Sequence, residues 1–223
     1  MKKLILAGCA TAALAIAGPA WAQGASDAPV GKQAGSLMVR LRAIGVIPLN
    51  SDSSLSIAGN KIGQVTADAA VMPELDLTYF ITDNIAVEAI AATTRHKVTA
   101  ELTGGPDLKV GHIWVLPPTV TLQYHFAPKA RFSPYIGAGV NVSFFYGSDT
   151  ADGFDKLTLN TGIGPALQAG FDYNISGRWF LNVDYKQIFV HTNGKAGITD
   201  GPTVKAKSWL NPAVVGIGIG YRF

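Results

Sequence analysis

The sequence predicts an all-β protein, an eight-stranded antiparallel transmembrane β-barrel with short periplasmic turns and long extracellular loops. The closing segment 213–223 alternates strictly, with bulky apolar groups at odd positions and glycine at three of the even ones. This is the period of a strand with one large and one small face. The chain also begins with an export signal and has no later apolar run long enough for a membrane helix. A closed barrel is the other structure that satisfies every backbone group in lipid.

The first 22 residues are the predicted secretory signal. Lys2 and Lys3 precede an apolar run over 4–17, and Ala20-Trp21-Ala22 provides a small-x-small cleavage site, as such signals require. A membrane anchor is an alternative, but the run is shorter than the ~20 residues of a spanning helix. Acylation at Cys9, which follows Leu-Ala-Gly as in a lipoprotein signal, is a second alternative.

Cleavage at this site divides the chain into a signal over 1–22, a periplasmic lead-in over 23–36 and the barrel over 37–223. Cys9 leaves with the signal, so the mature chain has no cysteine for disulfides or thiol chemistry. Two of the 18 lysines and arginines also leave, so 16 remain against 15 carboxylates. This balance, without any basic run, predicts no nucleic-acid partner.

Eight alternating segments are the predicted barrel strands, and an even number is typical of bacterial single-chain barrels. In each segment we expect the bulky apolar face to contact lipid and the other face to line the lumen. The segments are 37–47, 71–81, 85–95, 118–126, 134–146, 165–174, 179–190 and 213–223.

The connections between these segments alternate in length, which places both termini in the periplasm. The short ones are 82–84, 127–133 and 174–178, and the long ones lie near 48–70, 96–117, 147–164 and 191–210. Aromatic residues beside the short turns are the expected girdle at the periplasmic interface. They are Tyr79, Phe80, Phe126, Phe132, Tyr173, Trp179, Tyr221 and Phe223.

Charged residues on the inward faces gather in the predicted periplasmic half. A charge that faces lipid at the midplane costs about 2–4 kcal/mol, so these side chains must point inward. The interior of an eight-stranded barrel has just enough room for side chains, and we expect ion pairs to plug it there, in a structural role. The predicted plug consists of Arg40, Arg42, Glu74, Asp76, Glu88, Asp172, Asp184, Lys186 and Arg222.

The inward residues of the upper half are apolar instead. They either pack against one another or receive hydrocarbon-like solutes. Because a charged floor would lie below, an apolar solute would leave more easily sideways into the bilayer, through broken strand pairing. Proline removes a ladder hydrogen bond, and six prolines lie near the upper strand ends: Pro48, Pro73, Pro117, Pro118, Pro165 and Pro212.

Catalytic and metal chemistry have little support in the sequence. Neither His125 nor His191 has a serine and a carboxylate placed to form a triad, so we predict no enzyme. His96 and His112 lie far apart in one long connection and make a weak metal pair. We therefore predict no cofactor and no metal, and the basic cluster of Arg95, Lys97 and Lys109 around this connection favours contact with lipopolysaccharide phosphates.

Several segments together carry a resemblance to a known family. The most specific are Leu116-Pro117-Pro118-Thr119 and Pro134-Tyr135-Ile136-Gly137-Ala138-Gly139, supported by 77–79, 82–97 and the closing Gly220-Tyr221-Arg222-Phe223. They resemble the OmpW/AlkL family of small outer-membrane proteins. The resemblance implies a monomeric eight-stranded barrel of the bacterial outer membrane, whose hydrophobic channel passes small apolar molecules.

The resemblance also implies a hydrophobic gate, which pairs a leucine on the third strand with a tryptophan on the sixth. The matching positions here are Ile90 and Ile163. Ile163 departs in residue type, and alternation points it outward unless a bulge at Gly164-Pro165 turns it back. The predicted channel lining and gate comprise Ile44, Met72, Ile90, Ile163, Ile188 and Val214.

Two function classes follow from these features. The first is a channel for passive uptake of small hydrophobic molecules. The second is a structural or surface-interaction barrel whose loops bind a host or phage partner without transport. Expected partners are outer-membrane lipids, lipopolysaccharide, small apolar solutes and the barrel-assembly machinery, through the strand that ends at Phe223. A soluble lipocalin-like barrel is the alternative fold, and it would not need detergent.

Overall fold

The computed structural model describes residues 31–49 and 52–223, so the predicted signal and most of the lead-in lie outside the described residues. Fifteen strands lie within this part of the chain, and none of its residues belongs to a helix long and apolar enough to cross a membrane. The strands are β1 (Leu37–Ile47), β2 (Asp52–Ile57), β3 (Asn60–Ala67), β4 (Ala70–Phe80), β5 (Ile85–Ala92), β6 (Thr94–Leu102), β7 (Leu108–Leu116), β8 (Thr119–His125), β9 (Phe132–Thr150), β10 (Phe154–Leu159), β11 (Gly162–Ser176), β12 (Trp179–Ile188), β13 (His191–Ile198), β14 (Thr203–Trp209) and β15 (Ala213–Arg222).

Eight of these strands close into an antiparallel barrel in the order β1-β4-β5-β8-β9-β11-β12-β15, and β15 pairs again with β1. Leu41, for example, lies opposite Leu75 on one side and Ile219 on the other. All three side chains are exposed on the outer face. The predicted eight-stranded barrel is therefore confirmed, together with its apolar outer surface.

The long connections are not irregular loops, because they carry seven further strands. Together with the upper part of β9 they form a second antiparallel sheet in the order β10-β13-β14-β2-β3-β6-β7-β9, which we call the extension. Its strands continue the inward and outward alternation of the barrel, so that Val98 and Ala100 on β6 are buried while Arg95 is exposed. Because the alternation continues, the hydrogen-bonded strand ladder extends beyond the predicted strand ends.

The periplasmic end has short turns, as predicted, and aromatic residues line its outer face. Seven of the eight predicted girdle residues are exposed or half-buried there, and Trp179, Tyr221 and Phe223 pack edge to face, with ring centroids 5.0 Å apart in each step. The prediction for Phe80 is wrong. Phe80 occupies an inward position of β4 and is fully buried against Met38, Ala86 and Phe180.

Glycines on the inward face make room for the large side chains of the lumen. A Cβ atom at Gly218 would lie 2.7 Å from the Arg42 Cγ atom, and one at Gly220 would lie 2.9 Å from the Arg40 Cγ atom. One at Gly170 on β11 would lie 2.6 Å from the Tyr135 hydroxyl. The small face of the closing strand is therefore required by the long side chains beside it.

Candidate functional site

The lumen divides into two parts along the barrel axis. The lower part, which we call the charged floor, is formed by Lys32, Arg40, Arg42, Glu74, Asp76, Glu88, Asp172, Asp184 and Lys186. All nine side chains are buried, and for the eight that lie on strands, alternation points them away from lipid and into a narrow interior. Buried charges persist only when they are paired, and each charged group of the floor has an ion-pair partner, although Arg42 Nε and Nη2 and Glu74 Oε1 make no hydrogen bond.

Arg40 forms the centre of the floor. Its Nε and Nη2 atoms donate to the two oxygens of Asp172 at 3.2 and 3.0 Å, and its Nη1 atom donates to Asp76 at 3.0 Å. Arg42, one inward position higher on β1, pairs with Glu74 at 2.6 Å and with Asp76 at 2.7 Å. Register explains these contacts, since Arg40 lies opposite Asp76 and Arg42 lies opposite Glu74 across the β1–β4 ladder.

The opposite wall supplies the remaining ion pairs. Lys186 contacts Glu88 at 3.1 Å and also pairs with Asp184. Gln168 donates to both carboxylates, at 2.9 Å to Glu88 and 2.6 Å to Asp184, and Tyr135 donates its hydroxyl to Asp184 at 2.7 Å. At Asp184 these neutral donors occupy Oδ2, which the cations leave free, whereas at Glu88 Gln168 shares Oε1 with Lys186.

Lys32 was not recognised from the sequence as a lumen residue, because it lies in the lead-in and outside any alternating segment. Its ammonium group enters the barrel from below, with the Asp172 carboxylate at 2.7 Å and the Ser133 hydroxyl at 2.8 Å. The Nδ1 atom of His125 lies 3.2 Å away. The lead-in therefore contributes a cation to the periplasmic end of the lumen.

The predicted plug residues are all buried, but they do not all meet. Eight of them lie in the charged floor. Arg222 lies lower, level with Met38 on β1, and its backbone amide bonds to the Arg178 carbonyl oxygen at 3.0 Å. Arg222 lies at the periplasmic rim because it follows Gly220 by two residues on the closing strand, and Gly220 lies opposite Arg40.

Above the floor lies a cavity of about 130 Å³, which we call the upper cavity. Glu74 and Lys186 form its bottom. Its lower wall is a buried apolar cluster of Ile44, Val46, Ala92, Ala166, Ile188, Val190 and Val214, against which Met72 packs. Ile90 also lines the cavity. Five of the six predicted lining residues therefore face the lumen above the charges.

Ile163 does not, and its predicted place in a gate is wrong. Its side chain is 67% exposed on the outer face. It lies opposite Val142, and the β9–β11 register continues without a shift from Gly162 to Tyr173. No bulge at Gly164-Pro165 turns the chain, so alternation keeps Ile163 outward while its neighbour Gly162 is buried.

A layer of hydroxyl groups crosses the upper cavity. Thr94 lies between Ala92 and His96 among the inward residues, and Thr192 lies between Val190 and Gly194. Small hydroxyl residues also occupy buried positions on β2, β8, β9 and β14. We call this layer the hydroxyl belt; it consists of Ser53, Thr94, Thr119, Ser143, Thr192 and Ser208. A second apolar cluster, which includes Leu55, Val98, Ile113, Leu157 and Val204, lies above it.

The belt lies at the boundary between the barrel and the extension. Pro117 and Pro118 separate β7 from β8, and Pro212 precedes β15. The β4–β5 pairing ends at Glu74, beside Pro73. In the extension, β10 pairs with β13, while β9 pairs with β7. No register joins β9 to β10 among the described residues, so a seam separates these two strands.

The histidines fit structural roles. His96 contacts the Asp68 carbonyl oxygen at 2.8 Å and the Thr94 hydroxyl at 3.0 Å, and His125 lies between the rings of Phe80 and Tyr135. Within residues 31–49 and 52–223, no group of three His, Cys, Asp or Glu side chains is arranged to hold a metal ion.

Comparisons with known proteins agree with this architecture. The sequence profile of the OmpW family matches residues 33–223. The chain is 40% identical to the uncharacterized outer-membrane protein y4mB of Sinorhizobium fredii over 185 residues, 83% of this chain and 79% of that protein. It is 35% identical to outer membrane protein W of Vibrio cholerae over 212 residues, 89% and 94% of the two chains. The crystal structure of OprG from Pseudomonas aeruginosa superposes with a TM-score of 0.80 at 30% identity, covering 86% of this chain and 98% of that one.

Proposed function

This chain belongs to the OmpW family of outer-membrane β-barrel proteins, and from that membership we propose that it is a channel for passive uptake of small hydrophobic molecules. The solute enters the upper cavity from outside the cell and leaves sideways into the membrane.

The observation that carries this proposal is the contrast between the upper cavity and its floor. The cavity walls are mostly aliphatic between Ile44 and Val204, so burial there of the apolar surface of a hydrocarbon-like solute is favourable. Glu74 and Lys186 at the bottom belong to a buried network of ion pairs. A solute that crossed this floor would have to separate buried charges, which is strongly unfavourable.

An interruption of the strand ladder supports the lateral exit. The seam between β9 and β10 is an unpaired boundary of the extension, and Leu157 and Leu159 of β10 line the cavity beside it. A solute that passes between these strands breaks no inter-strand backbone hydrogen bond of the described ladders. Of the six prolines proposed from the sequence, Pro48, Pro117, Pro118 and Pro212 lie outside the strands, whereas Pro73 and Pro165 lie within β4 and β11, and none lies within the seam.

Lipopolysaccharide remains the proposed partner of the outer surface, on a face that differs from the predicted one. Lys195 lies directly opposite Lys205, with Lys207 two residues further along β14, and all three are exposed. Like charges directly opposite each other destabilise a sheet unless an anion neutralises them. Arg95, which belonged to the predicted basic cluster, is instead paired with Asp149 at 3.1 Å.

Uptake of naphthalene by cells that lack the protein, and by the same cells after it is restored, tests the transport proposal. Restored protein should accelerate uptake, and the triple variant Ile44→Lys, Ile90→Lys, Ile188→Lys should return it to background, because it places cations in the apolar wall. The matched variant with valine at the three positions should retain uptake. Heat-dependent gel mobility checks that each variant is folded, and single Ile90→Lys replaces the triple variant if that fails to fold.

Equal uptake with and without the protein would refute the transport proposal. If restoration changed only phage adsorption or cell attachment, the alternative role as a surface-interaction barrel would be supported. That alternative draws on the size of the extension and on its exposed lysines.

A further inference from the structure

The hydroxyl belt is an unexpected feature for a cavity that receives hydrocarbons. All six small polar residues of the belt are buried, and all except Ser53 line the mostly aliphatic cavity. Burying a hydroxyl without a hydrogen-bond partner is unfavourable, so each group in the belt must be examined for its partner.

Five of the six hydroxyls are occupied within the protein. Thr94, Thr119 and Thr192 donate to the carbonyl oxygens of Val115, Pro117 and Asn160, respectively, at 3.4, 3.1 and 2.7 Å. The hydroxyl of Ser53 donates to the Val65 carbonyl oxygen at 2.7 Å. That of Ser143 donates to the side-chain oxygen of Asn141 at the same distance. These five hydroxyls therefore make their hydrogen bonds within the protein, near the boundary between barrel and extension.

Ser208 is different. Its side chain is 94% buried, it lines the upper cavity, and its Oγ atom has no hydrogen-bond partner among the described residues. Register places it between Thr192 on β13 and Ser53 on β2. The residues above and below it on the inward face of the chain are Ala206 and Leu210, which are apolar. A buried polar atom without a partner, on the wall of a cavity, indicates a ligand that supplies the missing bond.

We propose that Ser208 is a specificity-determining residue that binds the single hydroxyl or carbonyl group of an otherwise apolar solute. The inference rests on the proposed uptake function and narrows its substrate class to oxygenated hydrocarbons, such as alcohols, phenols and ketones. The apolar clusters on either side of the belt hold the hydrocarbon part, and the Ser208 hydroxyl donates to, or accepts from, the solute oxygen.

Equilibrium dialysis with radiolabelled naphthalene and 2-naphthol tests the proposal, because the two differ by one hydroxyl. The purified protein is held in lipid nanodiscs, and binding to empty nanodiscs is subtracted. Ser208→Ala should weaken 2-naphthol binding relative to naphthalene by roughly threefold to tenfold, the range expected for one net hydrogen bond. Ser208→Thr keeps the hydroxyl and should retain the preference.

Thr192→Val is the matched control, because the Thr192 hydroxyl belongs to the belt but is already bonded to Asn160. It should leave the ratio of the two affinities unchanged. An unchanged ratio in Ser208→Ala, or the same loss in Thr192→Val, would overturn the proposal. The readout is binding and not flux. A protein that binds 2-naphthol through Ser208 but does not accelerate uptake would therefore contradict the transport function alone.

Discussion

The charged floor and the lower wall of the upper cavity lie on the same barrel strands with the same alternation, yet the interior is filled at the floor and open in the cavity. Below, long arginine, lysine and glutamate side chains cross the lumen and fill it. Above, most inward residues are isoleucine, valine, alanine or small hydroxyl residues, whose short side chains leave about 130 Å³ open. The comparison shows that alternation decides which residues face inward, while side-chain length decides whether the interior is filled or hollow.

This difference also predicts that the charged floor contributes mainly to stability and the upper cavity mainly to solute passage. Each cation of the floor neutralises carboxylates that have no other access to water, so the floor depends on every member. The upper cavity carries no buried ion pair above Glu74 and Lys186 in the described residues. Changes in the floor should therefore affect folding first, and changes in the upper cavity should affect solute passage first.

The largest effect is expected from Arg40→Ala. This change removes the cation that bridges Asp76 and Asp172, which keep only Arg42 and Lys32 as their respective ion-pair partners, and removing one partner from a buried network of ion pairs costs about 3–5 kcal/mol. Urea unfolding in lipid vesicles should show this loss as a lower transition midpoint. The control is Arg95→Ala, whose partner Asp149 is 66% exposed; it should cost no more than about 1 kcal/mol. Equal losses in the two variants would mean that the floor is not held by burial of its charges.

A smaller effect on stability, with a clear effect on passage, is expected from Ala196→Leu. Ala196 lines the upper cavity, and a larger side chain enters space that is already open. The free energy of unfolding should change by less than the ~1–3 kcal/mol of overpacking a filled core, while naphthalene uptake falls. Ala196→Ser, which adds little volume, is the control for uptake. Unchanged uptake in the leucine variant would show that solutes bypass this part of the cavity.

The smallest effect concerns an ion pair outside both regions, at a periplasmic turn. A hydrogen bond from Lys129 at 2.8 Å, and a second from the Ala34 amide, lower the pKa of Asp83 below its ordinary value. A carboxyl with a lowered pKa stabilises the fold above its ordinary pKa, and this contribution is lost as the pH falls through the lowered value.

Lys129→Ala should therefore raise the pKa of Asp83 towards its ordinary value, as measured by NMR titration of the carboxyl carbon. The unfolding midpoint should stay unchanged at neutral pH, because the Asp83 and Lys129 side chains are 39% and 72% exposed and exposed pairs contribute little. Lys129→Arg keeps the charge and should keep the lowered pKa. A shift of the midpoint as large as that of Arg40→Ala would contradict the distinction between buried and exposed pairs.

Much of the architecture could be predicted from the sequence because lipid imposes a rule on each residue separately. Every bulky apolar position of 213–223 had to face hydrocarbon, and Arg40, Glu74 and Lys186 had to face away from it. Alternation then assigned the whole lumen, including the apolar set around Ile44 and Ile90. The same rule, without the implied gate, would have excluded Ile163 from the channel lining. The inward position of Phe80 also follows from the even positions of β4.

The tertiary structure alone decided features that depend on distant residues. Lys32 has no alternating neighbours, and only the approach of the lead-in to Ser133 and Asp172 brings its ammonium group into the lumen. The extension forms because three local hairpins, β2–β3, β6–β7 and β13–β14, pair with one another and with β9 and β10, and local pattern does not encode these more distant pairings. Ser208 resembles Thr192 and Ser53 in sequence; it differs because the fold provides partners for those two hydroxyls and none for its own. The sequence determined which way each side chain points, since lipid and lumen act on residues one at a time. The fold decided which inward groups meet, since pairing depends on register and distance between strands.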